Sequence, residues 1–289
     1  MTNIILRKNI NEKIYQEIKG LEKLCSARDN ISFKLELEYK LNNSGTEDSE
    51  NTDINEFLFY DYDNLVGYAG ICDFGGDALE ISGMVHPDFR KKGIFSKLFS
   101  LVCHECRNRK NNEMLLLCDN KSISGMGFIG GLEADYDHSE YDMFLSRNVP
   151  KGKIVQSLSL GKAENKDIKK IAEMDSIFFG AEKNFDFYEN ANQIGSTFMA
   201  FSRNNIVGKV RLELDEGIGG IYGLGVLPEF RRKGLGREIL LLSIDKLKAA
   251  GAHEIVLQVE TKNKKALNLY KNCGFEESCI MLYYRMKIV

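Results

Sequence analysis

The stretch Arg231-Arg232-Lys233-Gly234-Leu235-Gly236 joins an apolar run, Ile221 to Val226, to a long segment whose apolar residues recur at helical spacing. A turn of that kind wraps a helix N-terminus, where the first amides lack intrahelical partners and the helix dipole is positive. Gly234 and Gly236 let the backbone approach a bound group closely, and three cations add charge. The chemistry on offer is the holding of an anion, above all a phosphate. A basic, glycine-bearing turn before a helix is also an ordinary solvated connection, and residue types alone leave both readings open.

Other candidate residues also read two ways. Asn263 stands just before the last helical segment, where asparagine is a good N-cap. Tyr270 shares a helix face with Ala266, Leu267 and Cys273, as a packing aromatic does. Glu213, Glu216 and Glu260 are the carboxylates nearest the loop in sequence, each equally an exposed strand or turn charge. Glu182, Asp186 and Glu189 make one segment acidic, which suits a cationic amine and suits a solvated face as well. Cys103-His104-Glu105-Cys106 lacks a second ligand pair at finger spacing and falls in a helical segment, so the expectation is no metal. His86, His138 and His253 have no partner arrangement.

The elements that position these residues follow from periodicity. Asn3 to Arg7 reads as a strand, Asn11 to Asp29 as a helix through Ile14, Ile18, Leu21 and Leu24, and Phe33 to Leu41, where apolar and charged residues alternate, as a half-buried strand. Residues 42–55, nearly free of apolar side chains, read as a mobile loop. Strands are expected at Glu56 to Tyr60, Leu65 to Cys72 and Leu79 to Val85, then a helix from Ile94 to Arg109 and a strand from Met114 to Cys118. From Ile154 the order is a strand, a helix over Asp167 to Phe178, a short helix near Phe185 to Ile194, and strands ending at Val226. A helix from Leu235 to Ala250 stops at Gly251, a strand covers Glu254 to Glu260, a helix from Lys264 to Cys273 closes at Gly274, and a strand runs through Tyr283 to Met286.

The order repeats because the sequence does. Val85 to Gly93 (VHPDFRKKG) and Val226 to Gly234 (VLPEFRRKG) stand 141 residues apart, and Asn64, Val66 and Gly67 match Asn205, Val207 and Gly208 at the same offset. A repeat that long indicates a duplicated domain rather than a solenoid unit. Pro150, in a polar stretch, falls where a linker belongs, so the expected division is a first domain over 1–149, a linker at 150–153 and a second domain over 154–289.

The strand ending in Val226-Leu227-Pro228-Glu229-Phe230, the R-x-x-G-x-G loop, the strand Ile255 to Glu260 and the string NKKALNLYKNCGF from Asn263 together resemble the GNAT family of acetyl-coenzyme A dependent N-acetyltransferases. The full motif set spans Val207 to Gly274. The resemblance implies an α/β fold with two tandem GNAT-like domains, each a mixed, mostly antiparallel central sheet flanked by helices. It implies that Arg231, Arg232, Lys233, Gly234, Leu235 and Gly236 hold the pyrophosphate of acetyl-CoA, that Leu224, Gly225 and Val226 pair with its pantetheine arm, and that a bulge at Gly225 aims an amide at the thioester carbonyl. Asn263 belongs to the same cofactor site. Tyr270 would donate a proton or hydrogen bond to the departing coenzyme A sulfur. Since phenol and thiol have pKa values near 10 and 8.5, full transfer is uphill by roughly 2 kcal/mol, which favours hydrogen-bond stabilisation.

The first copy departs from this pattern: Phe95 stands at the position of Gly236, Ser122 at that of Asn263 and Ile129 at that of Tyr270. The expectation is a catalytic second copy and a weak or inactive first one, as in family members whose tandem copies are not equally catalytic. The activity implied is direct transfer of an acetyl group to a primary amine of a small molecule or peptide. The alternatives are a non-catalytic acyl-CoA binding or sensing protein and an aminoacyl-tRNA dependent transferase. A formal charge of −3 over 289 residues gives no global attraction to nucleic acid or an anionic membrane, which argues against the last. No membrane span or signal peptide is legible, and seven scattered cysteines read as reduced thiols, so the expected location is cytoplasmic. The sequence indicates neither acceptor nor oligomeric state.

Overall fold

The computed structural model describes residues 2–43, 53–74, 76–146, 158–180 and 194–288. The chain divides into two compact units, Met1–Ser139 with Cys279–Val289, and Glu140–Ser278.

In the first unit β1 (Thr2–Arg7), β2 (Glu56–Asp61), β3 (Asn64–Cys72) and β4 (Ala78–Val85) form antiparallel neighbours in that order, and β4 runs parallel to β5 (Glu113–Asp119). One face packs on α1 (Glu12–Asp29) and α2 (Leu37–Asn43) through Ile18, Leu37, Leu58 and Tyr68. The other packs on α3 (Ile94–Cys106) and α4 (Ile123–Ile129) through Leu79, Leu98, Val102 and Ile129. Leu98 is wholly buried, and its truncation to alanine should cost about 2 to 5 kcal/mol. Asn11 caps α1 by accepting from the Ile14 amide, and Asn30 closes it in the left-handed region.

The second unit repeats the plan. β7 (Leu158–Lys162), β8 (Thr197–Ser202), β9 (Asn205–Asp215) and β10 (Ile218–Val226) are antiparallel, and β10 runs parallel to β11 (Glu254–Glu260). α5 (Ile168–Phe179) covers one face through Ile171 and Met174, while α6 (Leu235–Ala249) and α7 (Lys264–Asn272) cover the other through Ile239, Ile244 and Leu267.

The sixth strand of each sheet comes from an unexpected part of the chain. β12 (Phe275–Lys287) pairs with β5 of the first unit from Met281↔Asp119 to Lys287↔Glu113. β6 (Asp135–Leu145) pairs with β11 of the second unit, Glu140 opposite Glu260. Each sheet is therefore completed by a strand that follows the other copy in sequence. The strand through Tyr283 to Met286 exists as expected, but it belongs to the first unit.

A second difference concerns residues 33–41. The alternation there predicts a strand, yet α2 begins at Leu37 after an irregular stretch in which Glu36 has φ 54°. Helical geometry lets Leu37 reach the core and brings Lys40, three residues on, to a buried site where its Nζ donates to both Glu56 carboxylate oxygens and to the Tyr68 hydroxyl. A buried ammonium needs such partners, and that tertiary demand overrides the local pattern. Most of the expected loop over 42–55, the 150–153 linker and nearly all of the expected short helix near 185–194 lie outside the described residues.

Candidate active site

In both units the parallel strand pair stops after four residues. β4 pairs with β5 from Ala78↔Glu113 to Ile81↔Leu116, and β10 with β11 from Ile218↔Glu254 to Ile221↔Leu257. Beyond Ile81 and Ile221 the parallel pairing ends, and in the first unit a cavity opens between the two strands. The loop that follows β4, through Arg90, Lys91 and Gly93, lines that cavity.

The two loops share one backbone conformation. Lys91 and Arg232 have φ 60° and 62°, Gly93 and Gly234 φ 74° and 80°. Both glycines are helix N-caps without a side-chain capping bond, so the first amides of α3 and α6 keep no side-chain partner. Arg231 Nε donates to the Val226 carbonyl at 2.8 Å and Arg90 Nε to the Val85 carbonyl at 3.0 Å, tying each loop to its strand. Arg90 carries a further partner, Asp29, at 2.6 Å.

The units diverge in the strand before the loop. β3 and β4 pair without a break, whereas the β9–β10 register shifts between Tyr222 and Gly225. This bulge contains Gly223, whose φ is 55°, and Leu224. It follows that β4 and β10 correspond at an offset of 140 before the bulge and 141 after it, since Ala78 and Ile218 hold the same place on their parallel partners and Val85 and Val226 feed the same loop. Gly225 follows the bulge, and a Cβ there would overlap the ring of Phe178 on α5. A glycine is needed at this position by that contact.

Lys209 was not singled out from the sequence. It lies on β9 directly across from Gly225, its Nζ 2.6 Å from Asp175 Oδ1 on α5 and 3.4 Å from where a Cβ of Gly223 would be. Burial pulls its pKa below the usual lysine value, partly opposed by Asp175. Only the hydropathy break of a lysine inside Val207-Gly208-Lys209-Val210 could have signalled it.

Around the loop, Gly236 faces Leu269 and Val226, with a Cβ there reaching 3.6 and 3.7 Å from their side chains. The loop, the end of β10 and the face of α7 thus meet, and the expected residues fall in two stretches, Leu224, Gly225 and Val226 at the end of β10 and Arg231, Arg232, Lys233, Gly234, Leu235 and Gly236 in the loop and first turn of α6, joined by Leu227 to Phe230. Lys233 instead turns back, its Nζ donating to the Glu229 carbonyl and lying over the Phe230 ring. Asn263 accepts from the Ala266 amide at 3.1 Å, a helix cap, and Ser122 does the same for Gly125 at 3.2 Å in the first unit. Tyr270 is 8% exposed, edge-on to Phe275 at 6.1 Å, and its hydroxyl has no hydrogen-bond partner among the described residues. Burial pushes its pKa up to about 12, so it is a neutral donor at ordinary pH. At the matching place in the first unit stands Ile129, buried in the core.

The carboxylates near the loop are dispersed. Glu213 pairs with Arg211 at 2.9 Å, Glu216 occupies the β9–β10 turn with φ 43°, and Glu260 ends β11. On β10 itself Tyr222 lies over Gly220. The place of Gly220 is taken in the first unit by Glu80, paired with Leu115 as Gly220 is with Val256. Cys103 to Cys106 form the last turn of α3, and no metal-binding cluster occurs among the described residues. No helix among them is long and apolar enough to cross a membrane.

Comparison with known proteins accords with this geometry. The model of the acetyltransferase (GNAT) family matches residues 23–124 and 166–275. Mycothiol acetyltransferase of Clavibacter michiganensis is 36% identical over 74 residues, 26% of this chain and 24% of that protein. The [ribosomal protein bS18]-alanine N-acetyltransferase of Salmonella typhimurium is 31% identical over 104 residues, 36% of this chain and 69% of that one. The chain thus spans about a quarter of the length of the mycothiol acetyltransferases that it matches. Among solved structures, a GCN5-related N-acetyltransferase from Sphaerobacter thermophilus shares the fold with TM-score 0.76 at 18% identity, over 99% of this chain and 96% of that one. Two matched regions, two units of one plan and a full-length likeness in fold establish that this chain belongs to the GNAT acetyltransferase family, with the domain in tandem.

Proposed function

We propose that the chain transfers an acetyl group from acetyl-CoA to a primary amine by direct attack, with the chemistry in the second unit. The observation that carries this reading is that the bulge at Gly223 and Leu224, the glycine-open loop and the buried Tyr270, whose hydroxyl has no hydrogen-bond partner among the described residues, occur together in that unit and not in the first. Open space around the Cβ position of Gly234 and the uncapped start of α6 fit a diphosphate, which Arg231 to Gly236 would hold, while Leu224 to Val226 offer backbone to the pantetheine arm. When bound, acetyl-CoA supplies the activated acyl group. An amide of the Leu224 to Val226 stretch would donate where negative charge develops, a contribution typically about 3 to 4 kcal/mol. The Lys209–Asp175 ion pair lies against Gly223 of the bulge. Tyr270 donates a hydrogen bond to the leaving sulfur, and its raised pKa favours donation over proton transfer. The amine forms a C–N bond as the C–S bond breaks, and its proton is lost to solvent or a base.

The acceptor is a small-molecule or peptide amine. The test is a panel of polyamines, aminoglycosides, amino acids and peptides assayed for thiol release from acetyl-CoA. Amine-dependent release that falls in Tyr270→Phe supports the reading. Coenzyme A binding without release for any amine overturns it in favour of a binding or sensing role.

A further inference from the structure

Successive residues of a strand point to opposite faces of the sheet. After the β10 bulge, Leu224 and Val226 pack on the core that Ile239, Leu267 and Tyr270 form under α6 and α7, and Gly225 between them is turned toward α5. The three atoms that a Cβ of Gly225 would meet first all belong to the ring of Phe178. An aromatic ring from the helix thus lies where the strand residue's own side chain would be.

That ring is held firmly. Asp175, three residues earlier and therefore on the same face of α5, reaches Lys209, which stands across from Gly225 on β9. Phe178 itself is half-buried against Met174, Met199 and Leu227 and meets Phe179 edge to face at 5.9 Å. The first unit fills the same place in another way. There Tyr68 and Met84 hold the positions of Lys209 and Gly225, and the Met84 side chain packs from the strand itself, 4% exposed. A strand that needed only to be covered would gain from such a side chain. Glycine in its place leaves the β10 backbone bare, which suits a strand that another group must approach closely, and hands the closing of that space to Phe178.

We infer that Phe178 sets the length of the acyl group that the second unit accepts, an inference that rests on the donor site proposed above. The start of α6, for the diphosphate, and Tyr270, for the sulfur, both lie on the α6 and α7 side of the sheet. A thioester reaching the Leu224 to Val226 backbone from that side directs its acyl chain toward the α5 side, where the Phe178 ring stands against Gly225. An acetyl methyl ends at the ring. Each further methylene must push the ring aside, against the Asp175–Lys209 pair that ties α5 to the sheet. The favoured donors are the shortest acyl thioesters, and Phe178 selects them by contact without taking part in bond making.

Calorimetric titration of the full chain with coenzyme A, acetyl-CoA, propionyl-CoA and butyryl-CoA tests this without an acceptor. In the wild-type chain affinity should fall at least tenfold from acetyl-CoA to butyryl-CoA, since a hydrophobic wall separates ligands differing by one methylene by roughly 10- to 200-fold. Phe178→Ala should abolish the fall. Phe178→Leu, which keeps most of the packing, should reduce it, and provides the same reading if the alanine variant does not fold. Both variants should bind coenzyme A itself as the wild type does. Gly236→Phe, which obstructs the second unit's loop, should weaken every ligand and remove the dependence on Phe178. Butyryl-CoA binding as tightly as acetyl-CoA to the wild type, or a chain-length profile unchanged in both Phe178 variants, overturns the role of Phe178 and leaves the donor site standing. Failure to bind coenzyme A or any thioester, or binding that Gly236→Phe does not weaken, overturns the donor site in the second unit and this inference with it.

Discussion

Lys209 and Asp175 form an ion pair at 2.6 Å with side chains only 5% and 10% exposed, one on the strand beneath the β10 bulge and one on the helix that covers it. Breaking a buried pair from one side leaves an uncompensated charge. Lys209→Met should therefore destabilise the chain by about 3 to 5 kcal/mol, and adding Asp175→Leu should recover much of the loss. Denaturant unfolding of the two single variants and the double variant checks this.

The same pair sets a pH dependence. Burial disfavours the Lys209 ammonium in the fold, with Asp175 raising and Arg211 further lowering its pKa. Between that depressed value and 10.5 the unfolded chain binds more protons, so this residue's contribution to stability rises with pH across the window. Where the ammonium supports turnover, rate should fall over the same window, and Lys209→Arg should move that alkaline limb upward. A pH–rate profile with a Lys209→Arg limb at the wild-type position would remove Lys209 from the reaction.

Tyr270→Phe should lower turnover roughly 10- to 1,000-fold with coenzyme A affinity nearly intact, because the hydroxyl is used in the transition state. With its pKa pushed up to about 12, Tyr270 should impose no alkaline limb below about pH 11. Steady-state kinetics on one confirmed acceptor decide both points.

Gly236→Phe would copy the first unit's Phe95 into the second. Coenzyme A binding should weaken by an order of magnitude or more, and acetylation should be abolished when Gly234 is altered as well. Gly234 stands at φ 80°, so a side chain there adds backbone strain as well as bulk. The matching change at Gly93 should act mainly on stability. Rates and unfolding midpoints measured together separate lost chemistry from lost fold.

The duplication, the loop and most element boundaries were legible because they rest on local signals: Gly234 and Gly251 as helix limits, Asn263 as a cap, apolar spacing along α6. What escaped depends on partners distant in sequence. The alternation through Tyr283 shows a strand face but not that Leu117 is its neighbour. Residues 33–41 carry a strand-like pattern that the Lys40–Glu56 pair overrides. The bulge is a single extra residue, hidden because the repeat stays in step on both sides of the β4 and β10 strands. Lys209 is conspicuous only once Asp175 is known to sit opposite.

The exchange of sixth strands bears on the order in which the protein can be made. As the chain leaves the ribosome, the first five strands of the first unit are complete by Asp119, but the partner of β5 is not synthesised until Met281 to Lys287 emerges. Throughout that interval β5 presents an open hydrogen-bonding edge, the kind of surface at which nascent chains associate wrongly. The closing contact has a very long sequence separation, so completion of the N-terminal unit should be the slow, late event, and any chain terminated before Met281 should leave that unit without its sixth strand.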